Sequence, residues 1–255
     1  MTSGPMKGKT NGCRSGRVDV GYVSLIAVLL VILISCAHQP IQEGGSITDK
    51  IIAAYGGRER IAKVMSVAAE GRIKALMRGE AGIYRRALRR DRRLFVNVLY
   101  GRSTERWLLD STRGFRDTNG NIEEVFGPRY HAIVNQYNEL NLPFGLLDNT
   151  FTTTEVGRAT SNGTAVRILR LADRAGNQID AYVSTNNYLI IKCTSTFENG
   201  LNSINLHSEF SDFRRVEGIL FPFRIINYVR GDIINEITIR AYLLNAPIAD
   251  AQFKP

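Results

Sequence analysis

The chain has 255 residues, of which 44% are hydrophobic and 22% are charged, and its formal net charge is +9. This composition excludes an intrinsically disordered protein, because such chains have too few apolar residues to form a core. The length suits one large β domain or two small domains, and we expect one because no linker or repeat interrupts the chain.

The first 35 residues have the pattern of a secretory signal peptide. Basic residues up to Arg17 precede an apolar segment at 23–34, which is shorter than the roughly 20 residues of a membrane-spanning helix. The segment ends in Leu33-Ile34-Ser35-Cys36, which resembles the lipobox of bacterial lipoproteins. The resemblance implies cleavage after residue 35 and attachment of acyl chains such as palmitate to Cys36. The alternative is an uncleaved anchor helix with its basic end inside.

Both alternatives place the remaining chain in the cell envelope, outside the cytoplasm, so we expect no nucleic-acid partner. Residues 36–46 contain Pro40 and Gly44-Gly45 and are interpreted as a lipidated tether. By analogy with the same lipoproteins, Ala37 is not the aspartate that retains such proteins in the inner membrane. The resemblance therefore implies an anchor in the outer membrane, with the domain facing the periplasm.

The domain that we assign to residues 47–255 opens with helical patterns. Ser46 and Asp49 resemble a capping box, and the apolar face that follows ends at Gly56-Gly57. A second short helix is predicted at 58–65. From Ser66 the hydrophobic period changes to two, which indicates half-exposed strands.

The strands predicted next are at 82–89, 94–100, 105–109 and 114–118, with a hairpin turn at Asn119-Gly120. A helix that begins near Pro128 interrupts them, and an apolar loop is predicted at 141–147. In the second half, turn dipeptides at short intervals indicate consecutive antiparallel strands. These dipeptides are Asn162-Gly163, Gly176-Asn177, Asn186-Asn187, Asn199-Gly200, Glu217-Gly218 and Gly231-Asp232.

The pattern predicts a mainly β (α+β) fold with about 10–11 antiparallel strands and two helical elements. So many twisted strands would curl into a strongly curved half-barrel whose concave face is covered by the helices. The interior is then either a cavity or a filled core, and the same side chains fit both alternatives. The candidates for the hydrophobic cavity are Phe95, Trp107, Leu109, Phe223, Ile225, Ile237 and Ile239. The candidates for a lid or gate are Tyr130, Ile133, Tyr137, Leu142, Phe144 and Leu146.

Several segments resemble the outer-membrane lipoprotein-sorting superfamily, the LolA/LolB-like carriers. They are Ala54-Tyr55-Gly56-Gly57, the hairpin at 176–192, the segment 210–222 and the stretch 245–253. The resemblance covers about residues 48–255. It implies an unclosed half-barrel with a helical lid and a hydrophobic cavity that binds acyl chains of lipoproteins or other lipids. It also implies exchange with a periplasmic carrier or another envelope protein. The soluble carrier of this superfamily has no lipid anchor, so Cys36 gives this chain the topology of the anchored acceptor.

No pattern typical of catalysis is found. The three histidines, His38, His131 and His207, have neither metal-ligand spacing nor a nucleophile motif beside them. We therefore expect no catalytic residues, no metal and no cofactor, and hence no enzyme. Cys193 lies in an apolar, β-branched run, which favours a buried, inert thiol over a reactive one.

The densest charge cluster lies at 85–93, at a predicted turn between two strands. One interpretation is that Arg89, Arg90, Arg92 and Arg93 contact anionic lipid headgroups. The other is a solvated hairpin whose charges prevent aggregation of strand edges.

The sequence thus favours a membrane-anchored carrier or acceptor that binds the acyl chains of lipoproteins or other lipids. The alternative is a non-enzymatic envelope assembly or scaffolding lipoprotein that uses the same fold as a protein-interaction surface. A periplasmic hydrolase would require His131 or His207 to meet a carboxylate and a hydroxyl in one pocket.

Overall fold

The computed structural model of the protein describes residues 45–199 and 202–255. The predicted signal peptide, Cys36 and the tether up to residue 44 lie outside the described residues. None of the helices in the described part has the length and hydropathy needed to cross a lipid bilayer.

The described residues form four α-helices, thirteen strands and two short 3-10 helices at Leu76–Arg78 and Asp250–Phe253. The helices are α1 (Ile47–Tyr55), α2 (Arg58–Ala62), α3 (Gly127–Leu140) and α4 (Phe144–Leu147). The strands of the first half are β1 (Ser66–Ala75), β2 (Glu80–Arg89), β3 (Arg93–Tyr100), β4 (Ser103–Asp110), β5 (Arg113–Thr118) and β6 (Asn121–Val125). Those of the second half are β7 (Phe151–Ser161), β8 (Thr164–Asp173), β9 (Gln178–Ser184), β10 (Ile190–Asn199), β11 (Asn202–Val216), β12 (Ile219–Val229) and β13 (Asp232–Leu244).

All thirteen strands form a single open antiparallel sheet, in the order β6-β5-β4-β3-β2-β1-β13-β12-β11-β10-β9-β8-β7. Consecutive hairpins build each half, and the pairing of β1 with β13 joins the halves at the centre. The mainly β, antiparallel class predicted from the sequence is confirmed, but the predicted count of 10–11 strands is too low. The edge strands β6 and β7 are mostly exposed and lack the apolar alternation by which strands are recognised.

The sheet curls around α3. This helix contacts β4 and β5 on one side of the centre and β9 and β10 on the other. In a flat sheet β4 and β10 would lie about 34 Å apart at the usual strand spacing, whereas a helix is only about 10 Å wide. A bulge in β1 assists the bend: a Cβ on Gly71 would lie 2.2 Å from the Thr238 carbonyl oxygen, so only glycine fits there.

The helices follow from local capping and from burial. The Ser46 hydroxyl accepts a hydrogen bond from the Asp49 N–H, and Gly56, at φ 135°, ends α1. The helix predicted at 58–65 ends earlier, at Ala62. The prediction of a loop at 141–147 is wrong for its second part. After the cis Leu142–Pro143 bond the chain forms α4, and the apolar side chains of this helix are mostly buried.

Candidate functional site

A cavity of about 650 Å³ lies between the inner face of the sheet and α3. This volume falls within the usual range for small-molecule sites, about 300–1,000 Å³. Inward-facing positions of β1–β4 and β11–β13 provide most of its wall. The apolar residues that line it include Ile73, Ala75, Val96, Val98, Trp107, Val125, Ile133, Leu140, Leu206, Phe210, Ile225, Ile234 and Ile237.

The apolar wall is organised in cross-strand rows. Ile73 of β1 pairs with Ile237 of β13, which pairs with Ile225 of β12, which in turn pairs with Phe210 of β11. Directly opposed side chains in an antiparallel sheet lie in contact on one face. The row therefore forms a continuous apolar surface across the centre of the sheet.

A second row on the same face carries charge. Ala69, Arg86, Val96, Trp107 and Arg116 are opposed in turn across β1 to β5. Both arginines line the cavity, and each has a buried nitrogen without a hydrogen-bond partner, Nη1 in Arg86 and Nε in Arg116. The cavity is thus mostly apolar with cationic groups at defined places.

Seven residues were predicted to line a hydrophobic cavity, and Trp107, Ile225 and Ile237 do so. The inward faces of β4, β12 and β13 also carry Leu109, Phe223 and Ile239. Each of these three residues lies two positions along its strand from a residue that lines the cavity. They are buried in solid core at the other end of these strands.

Phe95 is a correction. It alternates with the inward-facing Val96 and Val98 along β3, so it lies on the outer face and does not line the cavity. The C-terminal turn that contains Phe253 packs against β3 and β4. Apolar residues on both faces of β3 made the inward parity ambiguous in the sequence.

The predicted lid divides into two parts. Ile133 lines the cavity, and Tyr130 is half-buried beside the core. Tyr137 is buried, and its hydroxyl accepts from the Arg92 N–H and lies 3.1 Å from the Arg90 carbonyl oxygen. Leu142, Phe144 and Leu146 do not line the cavity, because α4 packs against α1 and α2 at the other end of the sheet.

The arginines predicted to contact lipid headgroups are already engaged by the protein's own carboxylates. Arg90 binds Asp148 with two nitrogens and donates to the Val64 carbonyl at 2.8 Å. The remaining pairs are Arg89 with Asp91 and Asp250, Arg93 with Asp91, Asp110 and Asp250, and Arg92 with Asp173. The cluster is therefore an ion-pair network within the protein, and its contact with anionic lipid headgroups stays a prediction.

A polar chain crosses the cavity wall from α3 to the sheet. Ser208 Oγ lies 2.7 Å from a carboxyl oxygen of Glu139 and 2.9 Å from Asn227 Oδ1, and Asn227 donates to Asn235 at 2.8 Å. Burial raises the pKa of Glu139 to about 7. A hydroxyl has one proton, so a protonated Glu139 that donates to Ser208 leaves Ser208 free to donate to Asn227.

His131 and His207 make their side-chain contacts with other residues, and Cys193 is opposed to Ser208 across β10 and β11. His207 stacks on Tyr228 with ring centroids 3.9 Å apart, and His131 Nδ1 lies 2.9 Å from Asn177 Oδ1. Burial raises the pKa of the Cys193 thiol and keeps it protonated. In the described ranges no three His, Cys, Asp or Glu side chains cluster as metal ligands.

The sequence reasoning missed Arg86 and Glu139 as cavity residues. Charged side chains are normally exposed, and Arg86 was counted with the surface cluster at 85–93. A signal was present, because Arg86 has the same parity along β2 as the buried Tyr84 and Leu88.

Comparison with known proteins finds likeness in structure and none in sequence. No protein-family model matches the chain, and no curated protein matches it. A domain from Vibrio parahaemolyticus described as an outer-membrane lipoprotein-sorting protein matches with a TM-score of 0.53 and 8% identity, covering 82% of this chain and 94% of that one. A DUF1329 family protein from Desulfovibrio piger has a TM-score of 0.53 at 10% identity, with coverage of 82% and 95%.

A LolA superfamily protein from Nitrosomonas europaea matches with a TM-score of 0.52 at 12% identity, covering 83% of this chain and 99% of that one. The chain therefore has the fold of the LolA-like lipoprotein-sorting structures. The resemblance noted in the sequence is confirmed as a resemblance of fold.

Proposed function

We propose that the protein is a membrane-anchored carrier or acceptor that binds acyl chains of lipoproteins or other lipids in the cavity between the sheet and α3. The observation that carries this proposal is the unfilled, mostly apolar volume of about 650 Å³. Each methylene group moved from water into such a site contributes about 0.8 kcal/mol. The curled sheet then works as a half-barrel container whose concave face is covered by helices.

The proposal includes the cell location. Lipidation of Cys36, inferred from the lipobox-like segment, would hold the domain at the outer membrane facing the periplasm, where a periplasmic carrier could exchange cargo with it. The fold shared with lipoprotein-sorting structures supports this setting. We propose binding without catalysis, since the Glu139–Ser208 pair ends on amide groups and not on a histidine.

Trp107 provides the test. It is the chain's single tryptophan and it lines the cavity. Stearate carrying two bromine atoms on the chain quenches tryptophan fluorescence only at close contact. We expect saturable quenching of Trp107 in the full chain, kept in one nonionic detergent at fixed concentration.

The control moves the reporter to the outer face of the sheet. The double variant Trp107→Phe, Phe95→Trp places the tryptophan on β3 outside the cavity and should show no saturable quenching. Equal quenching of both proteins, or none in the wild type, would contradict an acyl-binding cavity.

A further inference from the structure

Arg86 is an unusual residue for the wall of a hydrophobic cavity. It lies in the middle of β2, opposed by Ala69 on one side and Val96 on the other, and its side chain is only 6% exposed. Its neighbours on the same face of the strand are Tyr84 and Leu88. The sheet therefore places a buried guanidinium in the cavity wall, beside the phenol groups of Tyr84 and Tyr242.

This guanidinium has no anionic partner. Its Nη2 donates to the Tyr242 hydroxyl at 3.2 Å, and its Nη1 is buried without any hydrogen-bond partner. Burial raises the pKa of both Tyr84 and Tyr242, so these phenols are neutral. Among the side chains of residues 45–197 and 203–255, no carboxylate forms an ion pair with Arg86.

The neighbouring Arg85 shows that the chain supplies carboxylates elsewhere. Arg85 points to the outer face of β2 and pairs with Glu70 at 3.2 Å. In the cavity wall, Glu105 is already paired with Arg78, and burial raises the pKa of Glu139 so that it is largely protonated below neutral pH. The cavity wall thus carries unneutralised positive charge at Arg86.

An unpaired buried charge is strongly destabilising, and a charge-assisted hydrogen bond is roughly twice as strong as a neutral one. We propose that Arg86 binds the anionic headgroup, a carboxylate or a phosphate, of a free amphiphile whose acyl chain lies along the row Ile73–Ile237–Ile225–Phe210. Ile73, where the row begins, lies about 13 Å along β1 from Ala69, the residue opposed to Arg86. The headgroup and the acyl chain therefore have separate places.

This inference rests on the proposed function and narrows it. Because Arg86 lies inside the cavity, the headgroup is drawn in with the chain. A fatty acid or a lysophospholipid with a terminal phosphate meets that requirement. An acyl chain attached to a lipoprotein carries a whole protein domain as its head and does not.

The experiment measures quenching of Trp107 in the full chain by three brominated ligands with the same acyl chain: the free acid, its methyl ester, and the lysophospholipid with a terminal phosphate. The pH is one at which the carboxylate is ionised. We expect the acid or the phosphate to bind at least about tenfold more tightly than the ester. The tighter of the two anions identifies which headgroup the site takes.

Two matched variants assign the effect to Arg86. Arg86→Met should abolish the preference for the anion and leave the affinity for the ester within about twofold, since a buried charge replaced by an apolar residue of similar length is tolerated. Arg85→Met removes the same charge from the outer face of the same strand and should keep the preference.

The outcomes are distinct. If the ester binds as tightly as both anions in the wild type, the headgroup inference is overturned while acyl binding stands. If no ligand quenches Trp107, both the inference and the proposed function fail. If Arg86→Met still prefers the anionic ligands to the ester, the role of Arg86 is also overturned. If that variant does not fold, the comparison of acid and ester in the wild type still tests the headgroup inference.

Discussion

The two ends of the curled sheet are filled in different ways, and β12 serves both. At one end, Ile219, Phe221 and Phe223 of this strand meet α1 and α4 in solid core. At the other end, Ile225 and Asn227 face the cavity. We call these the packed end and the hollow end. The same alternation of inward and outward side chains along one strand therefore builds a stable core at one end of the sheet and the wall of a binding cavity at the other end.

The packed end is densely filled because the short helices pack their apolar side chains against the sheet there. Ile51, Ile61 and Phe144 come from α1, α2 and α4 and are almost completely buried. The Tyr55 hydroxyl accepts from the Ile190 N–H at 3.2 Å and ties α1 to β10. At the hollow end α3 covers the sheet, and the cavity lies beneath it.

Truncation should separate the two ends most strongly. Phe144→Ala removes a side chain that is 1% exposed in the packed end and should lower the free energy of unfolding by about 3–5 kcal/mol. Ile225→Ala at the hollow end should cost only about 2 kcal/mol, because its neighbours already face open volume. Urea unfolding measures both, and equal losses would contradict the division into packed and hollow ends.

Protonation of Glu139 should make the hollow end pH-sensitive. Burial raises its pKa from 4.5 to about 7, so the folded state holds a proton that the unfolded chain releases. The stability that the protonated carboxyl contributes is fully present below about pH 4.5 and is lost as the pH rises through about 7, a loss of about 3 kcal/mol by pH 8.

Glu139→Gln keeps the shape and removes the titration. The difference in unfolding free energy between this variant and the wild type should therefore grow with pH between about 4.5 and 8. A difference that stays constant across this range would show that Glu139 ionises freely in the folded protein.

Replacing a valine by phenylalanine should affect stability at the packed end and acyl binding at the hollow end. Val183→Phe in the packed end should destabilise the protein by about 1–3 kcal/mol through overpacking and leave acyl binding unchanged. Val96→Phe at the hollow end should place its ring in the cavity, change stability by about 1 kcal/mol or less, and weaken acyl binding by about tenfold. Thermal unfolding and Trp107 quenching test the pair, and loss of binding in Val183→Phe alone would reverse the assignment.

The smallest effect is expected at the arginine cluster. Asp148→Asn leaves Arg90 with its carbonyl partners only and should destabilise the protein by about 1 kcal/mol. Binding to anionic vesicles should not change, since the remaining arginines keep their carboxylates. Asp212→Asn, which breaks the exposed pair with Arg214, is the control and should have no measurable effect on stability.

Much of the fold could be predicted from local pattern. The helix at 47–55, the strands of the first half and the turn dipeptides follow from capping residues, period-two alternation and glycine or asparagine at left-handed positions such as Asn162 and Gly163. The inward orientation was also predicted correctly for Ile225 and Ile237, which line the cavity.

The residues of the site that the sequence did not predict correctly depend on contacts between distant parts of the chain. The sequence cannot show at which point along a strand the packed end stops, so Leu109, Phe223 and Ile239 were assigned to the cavity together with Trp107. Neither can it show that carboxylates as distant as Asp148 and Asp250 neutralise the cluster at 89–93. Arg86 could not be recognised from the sequence either, because only the structure shows which side chains surround it and that no carboxylate is among the partners described for it.

The most direct test of the hollow end is a crystal structure of the protein grown with dibrominated stearate, using the anomalous signal of bromine. The account predicts bromine peaks inside the cavity, against the row that contains Ile225 and Ile237. Bromine only on the outer surface, with side chains filling the space beneath α3 at ordinary packing density, would contradict it.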